Sequence, residues 1–153
     1  MIPAFRYACC MLMAVLAVQL SFAQVQGNLI SQAEYEMSRG RVTAAIDLLN
    51  AAIERRPGVK RAYLIRGIAK YQLNDMVGAE ADLNVAIEAN PRNHEAYLYR
   101  AESRFATQRF NEGLADLEFA MKIDSTDIRL YTSMAVANMR LDKSDQVIST
   151  CDN

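Results

Sequence analysis

Apolar and polar residues alternate with a helical period in two neighbouring runs, and the pair of runs recurs along the chain. In the middle of the sequence one run covers residues 62–73 and the next covers residues 77–89. Both place apolar residues at the spacing of one helix face. The polar pair Asn74-Asp75 separates the runs, and Pro91 follows the second one, where the residue before a proline avoids the helical region. The pattern therefore predicts two helices joined by a short turn.

This helix pair is one copy of a 34-residue repeat. The segment AIERRPGVKRAYLIRG at residues 52–67 returns as AIEANPRNHEAYLYRA at residues 86–101, which is 34 residues later. A fixed period of this length, made of two helical runs, is typical of stacked helix pairs in which each pair buries its apolar face against the next. The residues that keep the period are Tyr63, Tyr97 and Tyr131, with Leu29 one step earlier; Ala33, Gly67, Ala101 and Ala135; Ala45, Ala79, Gly113 and Val147; Ala52, Ala86 and Ala120; and Pro57 and Pro91.

These recurring positions resemble the tetratricopeptide repeat (TPR) family, whose pattern places an aromatic residue at position 4, small residues at positions 8, 20 and 27, and proline at position 32. On that frame the array fills residues 24–153, with repeats at 26–59, 60–93 and 94–127 and a partial repeat at 128–153. The resemblance implies an all-α fold, a right-handed α-solenoid of stacked antiparallel helix pairs. The sequence departs from the family in having no tryptophan, and repeat 4 stops within its expected second helix. Because a solenoid normally closes with a polar capping helix, we expect a longer chain, a partner or a second copy to cover that end.

The N-terminal segment has the three parts of a secretory signal peptide. A short stretch with one charge, Arg6, precedes an apolar run at residues 8–20, and Ser21 and Ala23 place small side chains three residues and one residue before the cleavage site. We expect a signal peptide at residues 1–23, cleaved near Ala23-Gln24, and export to the periplasm or the outer side of a bacterial membrane. The alternatives are an uncleaved anchor and a buried N-terminal helix, although the apolar run is short for a bilayer span.

Charge argues against a nucleic-acid partner. The formal net charge of the full chain is −1, and the loss of Arg6 with the signal segment leaves 16 Lys and Arg against 18 Asp and Glu. Acidic and basic residues are interspersed without a basic run. A surface that neutralises phosphates is therefore not expected.

Residues that could carry chemistry are sparse. His94, in the linker before repeat 3, is the only histidine, and no side chain at metal-ligand spacing accompanies it. Cys151, the one cysteine beyond residue 23, takes the repeat position of Leu83 and Leu117, so we interpret it as a small packing residue. No nucleophile elbow, phosphate-binding loop or paired-carboxylate motif is found. We expect a non-enzymatic protein with no cofactor, no metal and no small-molecule substrate.

One polar pattern distinguishes the two middle repeats. Arg66 and Arg100 stand at position 7 of repeats 2 and 3, and Asp82 and Asp116 stand at position 23 of the same repeats. Repeats 1 and 4 hold neither residue type at either position. Because arginine and aspartate occur together, we predict a bidentate pair across the two helices of each middle repeat, with a structural role.

The family resemblance also predicts a binding surface, because the first helix of each TPR pair lines a concave groove. Positions 2, 5, 9, 12 and 13 of the repeat face that groove. Such a surface suits an extended peptide or a partner helix. The alternative is that part of this stripe, above all position 12, is buried between neighbouring helices, since core and groove share one helical spacing. The residues predicted to line the groove are Ile30, Glu34, Met37, Arg61, Leu64, Ile68, Tyr71, Glu95, Leu98, Glu102, Phe105, Arg129 and Met139.

A TPR subclass grips the C-terminal carboxylates of chaperones with basic and amide groups, and this chain lacks that clamp. Only Arg129 among the corresponding residues has suitable chemistry, so chaperone-tail binding is not expected. Those residues are Ile30, Glu34, Ile65, Glu95 and Tyr99 for a clamp beginning in repeat 1, and Leu64, Ile68, Tyr99, Arg129 and Ser133 for one beginning in repeat 2.

The function expected from these features is that of an exported protein–protein interaction module that scaffolds an envelope complex through its groove. An alternative is the accessory TPR array of a longer enzyme or sensor, and sequence beyond Asn153 would separate the two. A further alternative retains residues 1–23 as an anchor and makes the array a membrane-tethered docking arm. The partner is expected to be a protein or peptide, whose identity the sequence does not specify.

Overall fold

The computed structural model describes residues 29–151, with side chains over residues 29–141. The predicted signal segment and the side chain of Cys151 lie outside this range. The described residues form seven helices and no strand, in agreement with the all-α class expected from the sequence. The helices are α1 (residues 29–38), α2 (Val42–Arg55), α3 (Lys60–Gln72), α4 (Met76–Ala89), α5 (His94–Ala106), α6 (Phe110–Ile123) and α7 (Ile128–Cys151).

The first three repeats turn at the same position. Gly40, Asn74 and Gln108 have φ values of 75°, 61° and 63°, and they lie 34 residues apart. A left-handed residue after a helix ends it and directs the chain back, a conformation that glycine and asparagine adopt readily. After the second of these turns the side chain of Asp75 accepts a hydrogen bond from Gly78 N at 2.9 Å and caps α4. Each repeat thus becomes a helical hairpin through local chain geometry.

The small residues of the repeat let the two helices of each hairpin approach closely. The alanines at positions 8, 20 and 27 of the first three repeats are buried, as are Gly67 and Gly113. A Cβ atom on Gly67 would lie 2.8 Å from Leu83 Cγ, and one on Gly113 would lie 2.7 Å from Phe105 Cδ1. The leucines at position 24 of the same repeats are completely buried beside them. Repeated close approach of this kind builds the solenoid core.

The hairpins stack so that their first helices lie side by side. Helix α3 contacts α5, and α5 contacts α7, while each second helix also contacts the first helix of the next repeat. The core is divided into a cluster around Ala45 and Leu49 near the N-terminal end and a larger cluster around Leu83 and Leu117. This arrangement places α1, α3, α5 and α7 along one surface of the array.

Repeat 4 departs from the expected helix pair. Helix α7 continues without interruption from Ile128 to Cys151, so the predicted second helix of repeat 4 is wrong. Asp142 takes the position at which Gly40 and Asn74 adopt positive φ, and it stays within the helix. The prediction for His94 is also corrected, because this residue begins α5 instead of lying in the linker.

The pairs expected between position 7 and position 23 are present. In repeat 2, Arg66 Nε and Nη2 donate to the two carboxylate oxygens of Asp82 at 2.8 and 2.7 Å. Arg66 Nη1 also donates to Asn50 Oδ1 of the preceding repeat at 2.7 Å, and Lys70 Nζ lies 2.8 Å from Asp82. The guanidinium lies over the ring of Tyr63. One side chain thus joins two helices of its own repeat to the repeat before it.

Repeat 3 reproduces this arrangement with a second arginine. Arg100 donates to both oxygens of Asp116 at 2.9 and 2.6 Å, and to Asn84 Oδ1 at 2.8 Å. Arg104 Nη1 donates to Asp116 Oδ2 at 2.7 Å, and the ring of Tyr97 lies beneath the Arg100 guanidinium. Asp116 is almost completely buried, so its charge depends on these two arginines.

Candidate functional site

The surface formed by α1, α3 and α5 contains an open pocket of about 510 Å³, here called pocket A. Leu64 and Ile68 on α3 supply apolar wall that is partly exposed. Glu34 from α1, Arg61 from α3 and Glu95 from α5 stand around it, as predicted for groove positions 2 and 9. The other residues that line the pocket are Lys60, Ile65, Ala86, Ala89, Asn90 and Asn93.

A smaller pocket of about 170 Å³, pocket B, lies between α5 and α7. Two predicted groove residues, Glu102 and Phe105, line it from α5. The Ser133 hydroxyl donates a hydrogen bond to Glu102, which joins the two helices at the pocket wall. The residues contributed by α7 are Thr132, Ser133, Val136, Ala137 and Arg140.

Several predicted groove residues belong to the core instead. Ile30 is buried in the N-terminal cluster, where Met37 also packs, and Leu98 is only 3% exposed in the larger cluster. Phe105 is 6% exposed, and its ring fills the space beside Gly113. The groove prediction is therefore wrong for Ile30 and Leu98. Phe105, at position 12, follows the alternative raised by the sequence, which is burial of this position between neighbouring helices.

Three predicted residues, Tyr71, Arg129 and Met139, lie outside both pockets and remain at the surface. Met139, near the middle of α7, is 62% exposed. Tyr71 is half-buried and packs edge-on against Tyr99, with ring centroids 5.5 Å apart. Burial raises the pKa of the Tyr71 hydroxyl, and the nearby Glu102 carboxylate raises it further. Both rings therefore stay neutral and present hydrogen-bonding hydroxyls.

The cations at the groove rim already have anionic neighbours. Arg61 Nη2 donates to Glu34 Oε1 at 2.7 Å. Arg129 Nη2 donates to Asp127 Oδ2 at 2.7 Å, and its Nη1 lies 3.6 Å from Glu95. The hydrogen bond from Arg129 lowers the pKa of the Asp127 carboxyl below its usual range. These carboxylates offset the charge of both guanidinium groups, so the rim presents charges of both signs.

Sequence reasoning missed some residues that line the pockets. Asn90 and Asn93 belong to the turn between α4 and α5, and Lys60 begins α3. In pocket B, Arg140 stands at position 13, which the family pattern turns toward the groove, although it was not among the residues named for it. The 34-residue period did not indicate Asn90 and Asn93, because groove positions were read only from the first helices, whereas these two residues lie in the turn before α5.

The family comparison agrees with this geometry. Residues 30–94 match the family model of the tetratricopeptide repeat. This stretch of the chain contains tetratricopeptide repeats. No curated protein sequence shows a significant match to the chain.

Solved TPR domains share the fold over most of the chain. The first TPR domain of Spaghetti (RPAP3), bound to the HSP90 peptide SRMEEVD, is 23% identical with a TM-score of 0.74, covering 78% of this chain and 94% of that one. The Sgt2 TPR domain from Aspergillus fumigatus is 16% identical with a TM-score of 0.73, covering 79% and 82%. MamA from Desulfovibrio magneticus RS-1 is 16% identical with a TM-score of 0.73, covering 81% and 70%. These similarities show the fold, an α-solenoid of helix pairs.

Within residues 29–151, no helix combines the length and apolar character needed to cross a bilayer.

Proposed function

We propose that this protein is an exported, non-enzymatic interaction module whose TPR groove holds an apolar segment of a partner protein in pocket A. The observation that carries the proposal is the pair Leu64 and Ile68, which leave apolar surface open on the concave side while comparable residues of the same stripe are buried. An apolar side chain seated there would remove this surface from water, at about 25 cal/mol for each Å² buried.

The chemistry of the rim argues for a neutral or mixed-charge ligand. Arg61 and Arg129 are engaged by carboxylates of the chain itself, and Glu34 and Glu95 balance them. The polar groups of the pocket that face a ligand backbone include the Nδ2 donors of Asn90 and Asn93, whose Oδ1 atoms accept from Arg92 N and Ala96 N, and the ammonium group of Lys60. An extended peptide or a partner helix that inserts apolar side chains and offers backbone groups to these donors fits the pocket.

The chaperone tails bound by similar TPR domains do not fit this groove. The HSP90 peptide SRMEEVD ends in acidic residues and a carboxylate. The residues that correspond to a carboxylate clamp include Glu34 and Glu95, which repel such a tail, and Arg129, which Asp127 already occupies. We therefore propose a different peptide class as the partner.

A matched pair of substitutions tests the role of pocket A. Peptides selected from a random displayed library against the full chain are expected to carry apolar anchors. The Ile68→Glu variant should bind them at least about tenfold more weakly, because a carboxylate would be placed against apolar ligand atoms. Val77→Glu, at an exposed apolar position of α4 outside the pocket, serves as the control and should leave the affinity unchanged.

The role of pocket A is contradicted if the selected peptides bind wild type and Ile68→Glu with equal affinity. It is also contradicted if only Val77→Glu loses affinity for them. Titration with SRMEEVD provides a second check, measured by isothermal calorimetry. Affinity comparable to that of the selected peptides would contradict the proposed ligand class.

The export part of the proposal is supported by residues 1–23 and has its own test. Expression of the full chain in a bacterium, followed by cell fractionation and N-terminal sequencing, should find Gln24 as the first residue in the envelope fraction. A chain that begins at Met1 and stays in the cytoplasm contradicts export. Recovery of the intact chain in the membrane fraction favours the tethered docking arm, and a longer reading frame beyond Asn153 would favour the accessory array.

A further inference from the structure

Helix α7 exposes an apolar stripe defined by Ile128, Tyr131, Ala135 and Met139. Ile128 is 74% exposed and Tyr131 is 47% exposed. Outside this stripe, the exposed residues between 128 and 139 are Thr132, Val136 and Asn138, together with Arg129 at the groove rim. The outward surface of a helix in water normally carries several charges, so this stripe has the character of an interface.

The same positions are covered by a second helix in the other repeats. Ala135 is at position 8, where Gly67 is buried and lies against Leu83 of α4. Tyr131 is at position 4, where Tyr97 is buried with its ring centroid 4.7 Å from that of Phe119 on α6. The stripe on α7 therefore corresponds to the surface against which the second helix packs in repeats 2 and 3.

Repeat 4 contains the sequence of such a helix but does not fold it back. Residues 143–151 keep the repeat register, with Val147 at a small-residue position and Cys151 at the position of Leu83. Because α7 runs straight through Asp142, these residues extend away from the stripe of their own chain. The chain therefore contains both the apolar stripe and the segment whose sequence matches a covering helix, but the two lie on successive parts of one straight helix.

We propose that a second copy of the chain fills the stripe, with residues 143–151 of each copy lying on α7 of the other in a twofold dimer. In closed repeats the paired residues lie about equally far before and after the turn, as Gly67 and Leu83 do around Asn74-Asp75. If a twofold axis passes beside the uninterrupted helix near residues 142–143, the α7 helices of the two copies run antiparallel. A residue before this point in one copy then meets the residue equally far after it in the other copy. Because the two copies exchange identical helical segments, the dimer would use the same type of helix contact that closes repeats 2 and 3.

The dimer makes a specific prediction about residue proximity. Position 24 lies against position 8 in the closed repeat, so Cys151 of the partner subunit would face Ala135, whereas the two copies of Cys151 would be far apart. This inference does not depend on the groove ligand, because the stripe residues line neither pocket A nor pocket B.

Disulfide trapping between two differently tagged full-length chains tests the arrangement. Both chains carry Cys9→Ser and Cys10→Ser; one also carries Ala135→Cys with Cys151→Ser, and the other retains Cys151. Mild oxidation of the mixture should yield a covalent heterodimer that reductant separates. Val136→Cys in place of Ala135→Cys is the matched control, since Val136 is at the same level of α7 but lines pocket B. It should give little product.

Light scattering provides an independent measurement. The wild-type chain should have twice the mass of a monomer, and Met139→Lys should reduce it to a monomer with unchanged helical circular dichroism. A wild-type monomer at about 100 µM, or equal trapping at both cysteine positions, overturns the dimer. Trapping within a single chain carrying both Ala135→Cys and Cys151, with none in the mixture, also overturns it, because repeat 4 would then close on itself.

Discussion

The Asp116→Ala variant is expected to lose about 3–5 kcal/mol of unfolding free energy, measured by urea denaturation followed by circular dichroism. The Asp116 carboxylate accepts hydrogen bonds from Arg100 at 2.6 and 2.9 Å and from Arg104 at 2.7 Å. Both guanidinium groups are mostly shielded from water, so removal of the carboxylate leaves Arg100 without its anionic partner and close to Arg104, which still pairs with Glu80. The penalty of an orphaned buried charge is larger than the net contribution of the pair.

Two comparisons separate this effect from general damage to a helix. Asp47→Ala changes an exposed aspartate on α2 and should alter the unfolding free energy by less than about 0.5 kcal/mol. In repeat 2, Asp82→Ala should be more destabilising than Arg66→Met/Asp82→Ala, because the second change removes the orphaned guanidinium. Equal losses for the single and double variants would contradict the charge-pair explanation.

Gly113→Ala is expected to destabilise the protein by about 2 kcal/mol, although alanine is the better helix former. The added Cβ would lie 2.7 Å from Phe105 Cδ1 and 3.0 Å from the Ala101 carbonyl oxygen. Phe105 is almost completely buried, so the added methyl group would have to displace a packed ring. Overpacking of a filled core costs about 1–3 kcal/mol, which exceeds the gain of about 1 kcal/mol from helix propensity.

A change at Phe105 should relieve the clash and give a measurable coupling. Gly113→Ala/Phe105→Leu is expected to lose less stability than the sum of the two single variants, as determined from urea midpoints at constant slope. Gly58→Ala is the control, because a Cβ there meets nothing within 4 Å. Additive losses at positions 113 and 105 would show that the ring does not limit the space.

The groove could be predicted only in part from the sequence. Positions 2 and 9 placed Glu34, Arg61 and Ile68 correctly around pocket A. Position 5 gave a mixed result, because Leu64 is partly exposed whereas Leu98 is buried. Helical periodicity identifies the apolar side of a helix, but this side is wider than the strip that a ligand touches. Which residues remain accessible depends on the size and position of neighbouring side chains from other repeats.

The polar contacts could likewise be predicted from the sequence only in part. Co-occurrence of arginine and aspartate indicated the pairs Arg66–Asp82 and Arg100–Asp116 within single hairpins. The additional acceptors Asn50 and Asn84 also lie 34 residues apart, but their role depends on how one hairpin is placed against the next.

The sequence by itself determined the 34-residue period, the helix pairs of the first three repeats and the charge pairs inside them. These features follow from local chain geometry and from residues close enough along the chain to meet in any hairpin. Only the tertiary structure decided that Gly113 accommodates Phe105, that Leu98 is core while Leu64 is surface, and that α7 continues past Asp142 with an uncovered stripe. Each of these outcomes depends on packing between elements, where the space left by one side chain is set by residues far away in the sequence.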